Sequence, residues 1–349
     1  MERKATRTRE RTVVEIGRTR FGADPFPVIA GPCAVESVEQ ITEVAKAVKA
    51  AGGSMLRGGS YKSNTTPYGF RGLGREGVKL LAEAGAGVGL PVATQVLQAE
   101  DAEDAAKRVD AIEVGSGSMQ DFELLRVLGK LGKPVMLRRG ASATLDEWLW
   151  SAEYVLAEGN DDVILVERGV RTFGGLEADM LDITAVPQLK ELTHLPVVVD
   201  PSHAAGVVQR VQPLALAAQG VGADGVIVEV HPNPLAAKTV GPQLDLDAFV
   251  ALMTALGIHR LRTTIDQIDR QIVRLLSSRQ DLALEIGRVK ASQGIPIYIP
   301  ERESELLAII EEEATRAGLD TGHVRALFQL VLAESRRLQQ LLRSHSSDV

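Results

Sequence analysis

Residues 196–203 read Pro-Val-Val-Val-Asp-Pro-Ser-His, an apolar run that ends in polar side chains. Seven further runs of this kind lie between residues 28 and 229, separated by stretches rich in Ala and Leu. The eight runs are Val28–Ala30, Ser54–Arg57, Val92–Thr94, Ala111–Gly115, Pro134–Leu137, Val163–Val166, Pro196–Asp200 and Gly225–Glu229. Nearly continuous apolar runs that alternate with helical patterns predict parallel strands covered by helices. Eight such units in roughly 230 residues are the size of a (β/α)8 TIM barrel.

Polar side chains follow the ends of most of these predicted strands. They are Arg57, Lys62, Arg138, Glu167, Asp200, His203, Glu229 and His231. A closed barrel of parallel strands brings all carboxyl ends to one face, which is where TIM-barrel active sites are built. The sequence therefore predicts a candidate site at that face.

A different periodicity begins at about residue 258, after Gly257, which we expect to end the last barrel helix. Three helices are predicted, over about 258–293, 301–317 and 321–343. The first would be about 54 Å long, more than its two partners can cover, so we expect an intertwined dimer of this small all-α domain. Its apolar stripe is Leu261, Ile265, Ile268, Ile272, Leu275, Leu282 and Ile286.

The predicted organisation is a basic arm over residues 1–19, a barrel over 20–256, a helical domain over 258–343 and a tail over 344–349. Residues 1–12 of the arm are expected to be a disordered terminus, and the tail is expected to fray. The single Cys33 excludes an internal disulfide.

The bulk composition of the 349-residue chain favours a soluble protein, because it is 45% hydrophobic and 24% charged and has no apolar run long enough to cross a bilayer. A cytoplasmic location is the resulting expectation. The net charge of −7 argues against a nucleic-acid surface, which needs a basic face.

The helical domain carries polar residues at fixed spacings. Arg279 and Lys290 are eleven residues apart, so on a helix they project within about 20° of each other, separated by roughly 16 Å. Two long side chains can close that gap around a small dianion. Arg262 points about 100° away from Arg279 and would more naturally serve a partner subunit's pocket. The full set is Arg262, Arg279, Lys290, Arg302, Glu303, Ser335 and Gln339.

This pattern resembles the all-helical family of chorismate mutases over about residues 258–343. The matching features are LRTTIDQIDRQIVRLLSSR at 261–279, Lys290, PERE at 300–303, Ser335 and Gln339. The resemblance implies a Claisen rearrangement of chorismate to prephenate, which needs no cofactor. It needs the substrate held in a compact chair and the charge on the breaking ether stabilised.

The resemblance also implies a role for each residue. Lys290 and Gln339 would face the ether oxygen, and Glu303 would accept the substrate hydroxyl. Arg279, Arg302 and, from the other subunit, Arg262 would hold the two substrate carboxylates. Ser335 would support one of these carboxylates. Ile299 is a departure, because relatives often carry Asp there; one lost hydroxyl contact is expected to cost about 1 kcal/mol of binding.

The barrel segment resembles the short type of DAHP synthase over about residues 20–245. The matching stretches are IAGPCAVES (29–37), LRGGSYK (56–62), TPYGFRG (66–72), MQDFELL (119–125), ERGVRTF (167–173), DPSHA (200–204) and VEVHPNP (228–234). That family condenses phosphoenolpyruvate with erythrose 4-phosphate at the head of the shikimate pathway. The resemblance implies a divalent metal site, for which Cys33, His203 and Glu229 take three ligand positions.

Several positions depart from the synthase pattern. Val240 replaces the Asp that would be the fourth metal ligand, so the set is either a remnant without a metal or a weak transition-metal site. Losing three charged hydrogen bonds would cost about 4–9 kcal/mol if additive, or roughly three to six decades in rate. At the substrate-binding positions, this chain has Asn64, Gly117 and Ala178 where the synthase family has Arg. It has Arg138 where the family has Lys, and Gln95 where the family has Glu.

The leading hypothesis is therefore a chorismate mutase on a catalytically inactive barrel that serves as scaffold or regulatory module. The alternative is an active bifunctional DAHP synthase and chorismate mutase. In a third possibility, the barrel binds another shikimate enzyme or an effector and the helical domain is only a sensor. A fourth gives the barrel new aldolase chemistry through Lys62, Arg139 and Arg168. The expected partners are chorismate, prephenate and a second copy of the chain, in a dimer or a tetramer; no membrane or nucleic acid is expected.

Overall fold

The computed structural model describes residues 3–6, 10–63, 66–172 and 179–346, apart from the side chains of 258–260, 262, 263 and 343–346. The chain divides into two compact units, Met1–His259 and Arg260–Val349. The described strands all lie in the first unit, and the second is helical.

The first unit is a closed barrel of eight parallel strands, as the apolar runs predict. The barrel order is β10-β3-β4-β5-β6-β7-β8-β9, and a separate hairpin, β1–β2, precedes it. The strands are β1 (Val14–Ile16), β2 (Thr19–Phe21), β3 (Val28–Gly31), β4 (Met55–Arg57), β5 (Val92–Val96), β6 (Ala111–Val114), β7 (Val135–Arg138), β8 (Val163–Glu167), β9 (Val197–Val199) and β10 (Val226–Glu229).

Helices cover the outside of this barrel. Local sequence determines where they begin: at α5, the Thr144 side chain accepts from the backbone N–H of Glu147, whose carboxylate accepts from the backbone N–H of Thr144. This reciprocal pair is the capping box. The helices are α1 (Val38–Ala50), α2 (Arg75–Val88), α3 (Ala99–Ala105), α4 (Phe122–Leu131), α5 (Leu145–Ala157), α6 (Ala185–Leu192), α7 (Pro201–Ala205) and α8 (Val211–Gly220).

The barrel interior is filled at its amino-terminal end by one apolar side chain from the first or second position of each strand. The β1–β2 hairpin adds Val14, Ile16 and Phe21 to this cluster, and all three are buried. The hairpin therefore closes the end of the barrel opposite the predicted site. The strand residues at these positions are Ile29, Met55, Ala93, Ala111, Met136, Ile164, Val198 and Ile227, and β8 adds Val166 to the same cluster.

The described part of the basic arm packs on the first unit, so the expectation of a disordered terminus is wrong for residues 3–6 and 10–12. The backbone N–H groups of Lys4 and Ala5 donate to the Glu153 carboxylate at 3.0 and 2.9 Å. Arg3 forms an ion pair with Asp146. The arm is ordered because α5 offers it acceptors and because the hairpin that follows buries apolar side chains.

The remaining helices are α9 (Leu246–Gln293), α10 (Pro300–Arg316) and α11 (Thr321–Ser346). Gly257 does not end a helix as expected, since α9 is helical through it. A single glycine costs only about 1 kcal/mol inside a helix, and the Ala and Leu before it favour helix. The helix ends before Gly294, which adopts a left-handed φ of 68°. None of the described helices is long and apolar enough to span a membrane.

The hairpin plug predicts the effect of one core substitution. Phe21 is fully buried in the barrel interior, so Phe21→Ala should lower the free energy of unfolding by about 3–5 kcal/mol. Chemical denaturation followed by circular dichroism would measure the change. Tyr68→Ala is the control, because Tyr68 is 95% exposed. Equal midpoints for the two variants would contradict a role of the hairpin in the core.

Candidate active sites

Five of the buried charged residues at the carboxyl ends of the barrel strands form one group. They come from β4, β6, β7 and β10 and from the residue that caps α7 after β9. Each is at most 3% exposed. They meet here because parallel strands in a closed barrel end at the same face, as predicted. The five are Arg57, Glu113, Arg138, Asp200 and Glu229.

These side chains form a continuous ion network in which each arginine bridges two carboxylates. Arg57 donates to Glu113 at 3.0 Å and to Glu229 at 3.2 Å. Arg138 donates to Glu113 at 2.8 Å and to Asp200 at 2.5 Å. The guanidinium groups are therefore paired within the barrel mouth.

The network keeps its carboxylates ionised despite their burial. Burial raises the pKa of Glu113, but Arg138 and Arg57 outweigh it and lower that pKa to about 2. Burial likewise acts to raise the pKa of Asp200, while His203 and Arg138 hold it well below its usual range. Both groups are thus negative at neutral pH, and the arginines compensate that charge.

The three metal-ligand positions implied by the resemblance lie near one another at this face. His203 shares a hydrogen bond with Asp200 through Nδ1 at 2.8 Å, and its Nε2 lies 3.7 Å from Glu229. Lys62 donates to the Cys33 sulfur at 3.2 Å. Burial raises the pKa of the Cys33 thiol, and the charge of Glu229 raises it further.

The fourth ligand position that the resemblance implies carries no metal-binding atom. Val240, at the fourth ligand position, has no donor atom and is fully exposed. Within the part of the chain that the structure describes, no three His, Cys, Asp or Glu side chains form a group that could hold a metal ion.

Two of the departures from the synthase pattern border the same face. Gly117 lines a pocket of about 180 Å³, and a Cβ atom added there would meet nothing within 4 Å. The pocket therefore has room for a longer side chain at position 117, which glycine does not supply. Gln95 is buried beneath Gly115. The positions of Asn64 and Ala178 lie outside the described residues.

The helical unit contains a pocket of about 340 Å³, within the roughly 300–1,000 Å³ typical of small-molecule sites. Residues from α9, α10, α11 and the segment before α10 line it. Six of the seven residues singled out in the sequence are among them: Arg279, Lys290, Arg302, Glu303, Ser335 and Gln339. The seventh, Arg262, lies in α9, and its side chain is outside the described part.

The pocket's polar atoms are held by short contacts between helices. Arg279 donates to the Ser335 hydroxyl at 2.6 Å, and that hydroxyl donates to the Val331 carbonyl at 3.0 Å. Gln339 donates to the Ala283 carbonyl at 2.7 Å. These bonds fix the facing side chains of α9 and α11.

A glycine on α9 allows this close approach. A Cβ atom added to Gly287 would lie 2.8 Å from Cγ of Gln339. Any larger residue would therefore push Gln339 out of its place in the pocket.

Lys290 and Arg302, the two remaining cations of the set, make different contacts. Lys290 donates to the carbonyl of Ile297 at 2.9 Å, which ties the end of α9 to the segment before α10. The Arg302 side chain is 69% exposed and pairs with Glu305. Ile299, the departure noted in the sequence, also lines the pocket.

Sequence reasoning missed Arg336, which lines the same pocket. Its NH1 contacts the Glu303 carboxylate, and its guanidinium carbon lies 5.2 Å from the centre of the Tyr298 ring. Adjacent helical residues project about 100° apart, so its place beside Ser335 in sequence did not suggest a shared pocket. The feature that identifies Arg336 as a pocket residue is its ion pair with Glu303 on α10, and that pair depends on tertiary packing.

Comparison with known families divides the chain in two. Residues 8–257 match the family described as DAHP synthetase I, and residues 261–340 match the family described as chorismate mutase type II.

Individual relatives match the barrel. A phospho-2-dehydro-3-deoxyheptonate aldolase of Thermotoga maritima is 44% identical over 214 residues, which are 61% of this chain and 63% of that protein. The chain thus matches less than two thirds of that relative's length. A 2-dehydro-3-deoxyphosphooctonate aldolase of Bradyrhizobium diazoefficiens is 31% identical over 199 residues, 55% of this chain and 70% of that protein.

Two solved structures are also similar to this chain. The crystal structure of the Thermotoga maritima DAHP synthase superimposes with a TM-score of 0.71 at 40% identity, covering 75% of this chain and 77% of that one. A truncated form of the Thermotoga maritima enzyme superimposes with a TM-score of 0.68 at 40% identity, covering 76% and 96%.

The buried network predicts a stability change on removing its central carboxylate. Glu113→Gln leaves two buried arginines short of a counter-charge, which should lower the free energy of unfolding by about 3–5 kcal/mol at pH 7. Because the pKa of Glu113 is lowered from 4.5 to about 2, its contribution should be present above pH 4.5 and lost as the pH falls towards 2.

Denaturant titrations from pH 7 to pH 2 would test this. The difference between wild type and Glu113→Gln should shrink across that acid range. Glu123→Gln is the control, since the Glu123 side chain is 88% exposed. A constant difference down to pH 2 would contradict the assignment.

Proposed function

Because the chain belongs to the DAHP synthetase I family and carries a C-terminal chorismate mutase type II domain, we propose that this second domain rearranges chorismate to prephenate. The observation that carries the proposal is the convergence of Arg279, Lys290, Glu303 and Gln339 on one pocket. The reaction is pericyclic, so the pocket has only to select a reactive conformer and stabilise charge on the breaking ether.

Each side chain has a task in this proposal. Arg279, oriented by Ser335, holds one substrate carboxylate, and Arg302 swings in from solvent to hold the other. Lys290 and Gln339 donate hydrogen bonds to the ether oxygen as its bond to carbon lengthens. Strengthening of these bonds in the transition state is what would accelerate the reaction.

The proposed assembly is a dimer formed through α9. The apolar stripe on this helix is solvent-exposed within one chain, with Leu261 at 60% and Leu275 at 71%. Contiguous exposed apolar surface of this kind marks an interface. A second copy of the chain would cover it and supply Arg262 to the pocket.

Replacing the proposed ether ligand tests the mutase function. Lys290→Ala should lower kcat by at least about a hundredfold, because removing one donor to a developing negative charge typically costs 10²–10³ in rate. Loss of chorismate absorbance would report the rate. Arg288→Ala is the matched control: Arg288 is a nearby exposed cation on the same helix and does not line the pocket. Full activity in Lys290→Ala would favour a sensor domain instead.

For the barrel, we propose that DAHP synthase activity is absent or very weak. Arg138 stands at the position of a family lysine and is committed to Glu113 and Asp200. Gly117 and Val240 bring neither an anion-binding group nor a metal ligand to the mouth. The barrel would then serve the mutase as a scaffold or regulatory module.

A specific observation favours an active synthase as the second candidate. The barrel is 44% identical over 214 residues to a protein named as an aldolase of this type. In that case the chain would be bifunctional and would make both DAHP and prephenate.

A paired assay on one purified sample separates the two candidates. It follows chorismate loss first, and then phosphoenolpyruvate loss with erythrose 4-phosphate and Mn²⁺ added. We expect turnover of chorismate alone. Turnover of both substrates would establish the bifunctional enzyme, and phosphoenolpyruvate turnover alone would remove the mutase proposal.

A further inference from the structure

Among the described residues that line the helical pocket, Glu303 is the only one with an acidic side chain, and it forms an ion pair with Arg336. Glu303 lies on α10 and Arg336 on α11, and the contact joins Glu303 Oε2 to Arg336 NH1 at 2.5 Å. The two side chains are 21% and 33% exposed. This pair is therefore better shielded than a surface pair such as Arg302 and Glu305, whose side chains are 69% and 63% exposed.

Arg336 also contacts the segment that precedes α10. Its guanidinium lies over the Tyr298 ring, 5.2 Å from the ring centre, in cation–π geometry. Lys290 holds the carbonyl of Ile297 in the same segment. Contacts with both Glu303 and Tyr298 restrict the Arg336 side chain, so its position is set before any ligand arrives.

The pocket has a specific need for such a restraint. Residue 299 is an isoleucine and lines the pocket without a polar atom. A glutamate has a flexible side chain, so ordering it to accept one hydroxyl carries an entropic cost unless a neighbour holds it. We propose that Arg336 is a positioning residue that holds the Glu303 carboxylate ready to accept the substrate hydroxyl, an inference that rests on the proposed mutase function.

A double-mutant cycle tests this role in the full chain. The variants are Arg336→Met, Arg336→Lys, Glu303→Gln and the double variant Glu303→Gln/Arg336→Met, each assayed for chorismate turnover. Arg336→Met should lower kcat/KM about tenfold, the scale of one charge-assisted hydrogen bond. Most of the loss should be in KM, because the hydroxyl contact exists in both ground state and transition state.

The cycle separates positioning from direct binding of the substrate. If Arg336 acts through Glu303, Arg336→Met should cost less than about twofold in the Glu303→Gln background. Arg336→Lys should recover part of the loss, since a lysine keeps the charge without the fixed fork. Equal losses in both backgrounds would overturn the inference and assign Arg336 to a substrate carboxylate.

The adjacent arginine supplies a matched control. Arg337 pairs with Glu334, is 59% exposed and does not line the pocket, so Arg337→Met should retain activity within about twofold of wild type. An equal loss in Arg337→Met, or no loss in Arg336→Met, would overturn the positioning role while leaving the mutase function standing. Absence of chorismate turnover in the wild-type chain would remove both.

Discussion

Three of the carboxylates buried at the barrel mouth share two arginines that neutralise them, and this pairing constrains the centre of that site. Glu113, Asp200 and Glu229 have lost their water, and an uncompensated buried charge costs several kcal/mol. Arg57 and Arg138 supply the compensation, each between two acids. Either arginine would have to give up its contacts with two carboxylates to turn towards an anionic ligand. The guanidinium groups of Arg57 and Arg138 are therefore engaged by carboxylates of the barrel itself.

The helical pocket has the opposite electrostatic arrangement. Arg279 and Lys290 are held there by neutral acceptors, the Ser335 hydroxyl and the Ile297 carbonyl. A hydrogen bond to a neutral acceptor orients a cation without cancelling its charge. Two oriented cations and an exposed Arg302 face one carboxylate, Glu303, which Arg336 neutralises. The free charge in this pocket is thus positive and fits a substrate with two carboxylates.

The sequence was sufficient for features that repeat with a local period. Continuous apolar runs predicted the eight barrel strands, and helical spacing predicted that Arg279 and Lys290 would share a pocket. The sequence was insufficient for features that depend on tertiary packing. Gly257 looked like a helix end, but its small penalty is outweighed by the helix on both sides. Arg336 was missed because its partner Glu303 is on another helix, and no period within one element reports the register between two.

The residues that determine the barrel fold are separate from those that determine its chemistry. The interior is filled by apolar side chains such as Ile29, Met136 and Ile227 at the starts of the strands, closed below by the hairpin. Gly117 and Val240 lie at the other end, where a Cβ at Gly117 meets nothing and Val240 is fully exposed. Changes there leave the core packing untouched. A TM-score of 0.71 at 40% identity to a DAHP synthase reports similarity of the fold. Activity depends on the side chains at the carboxyl ends of the strands.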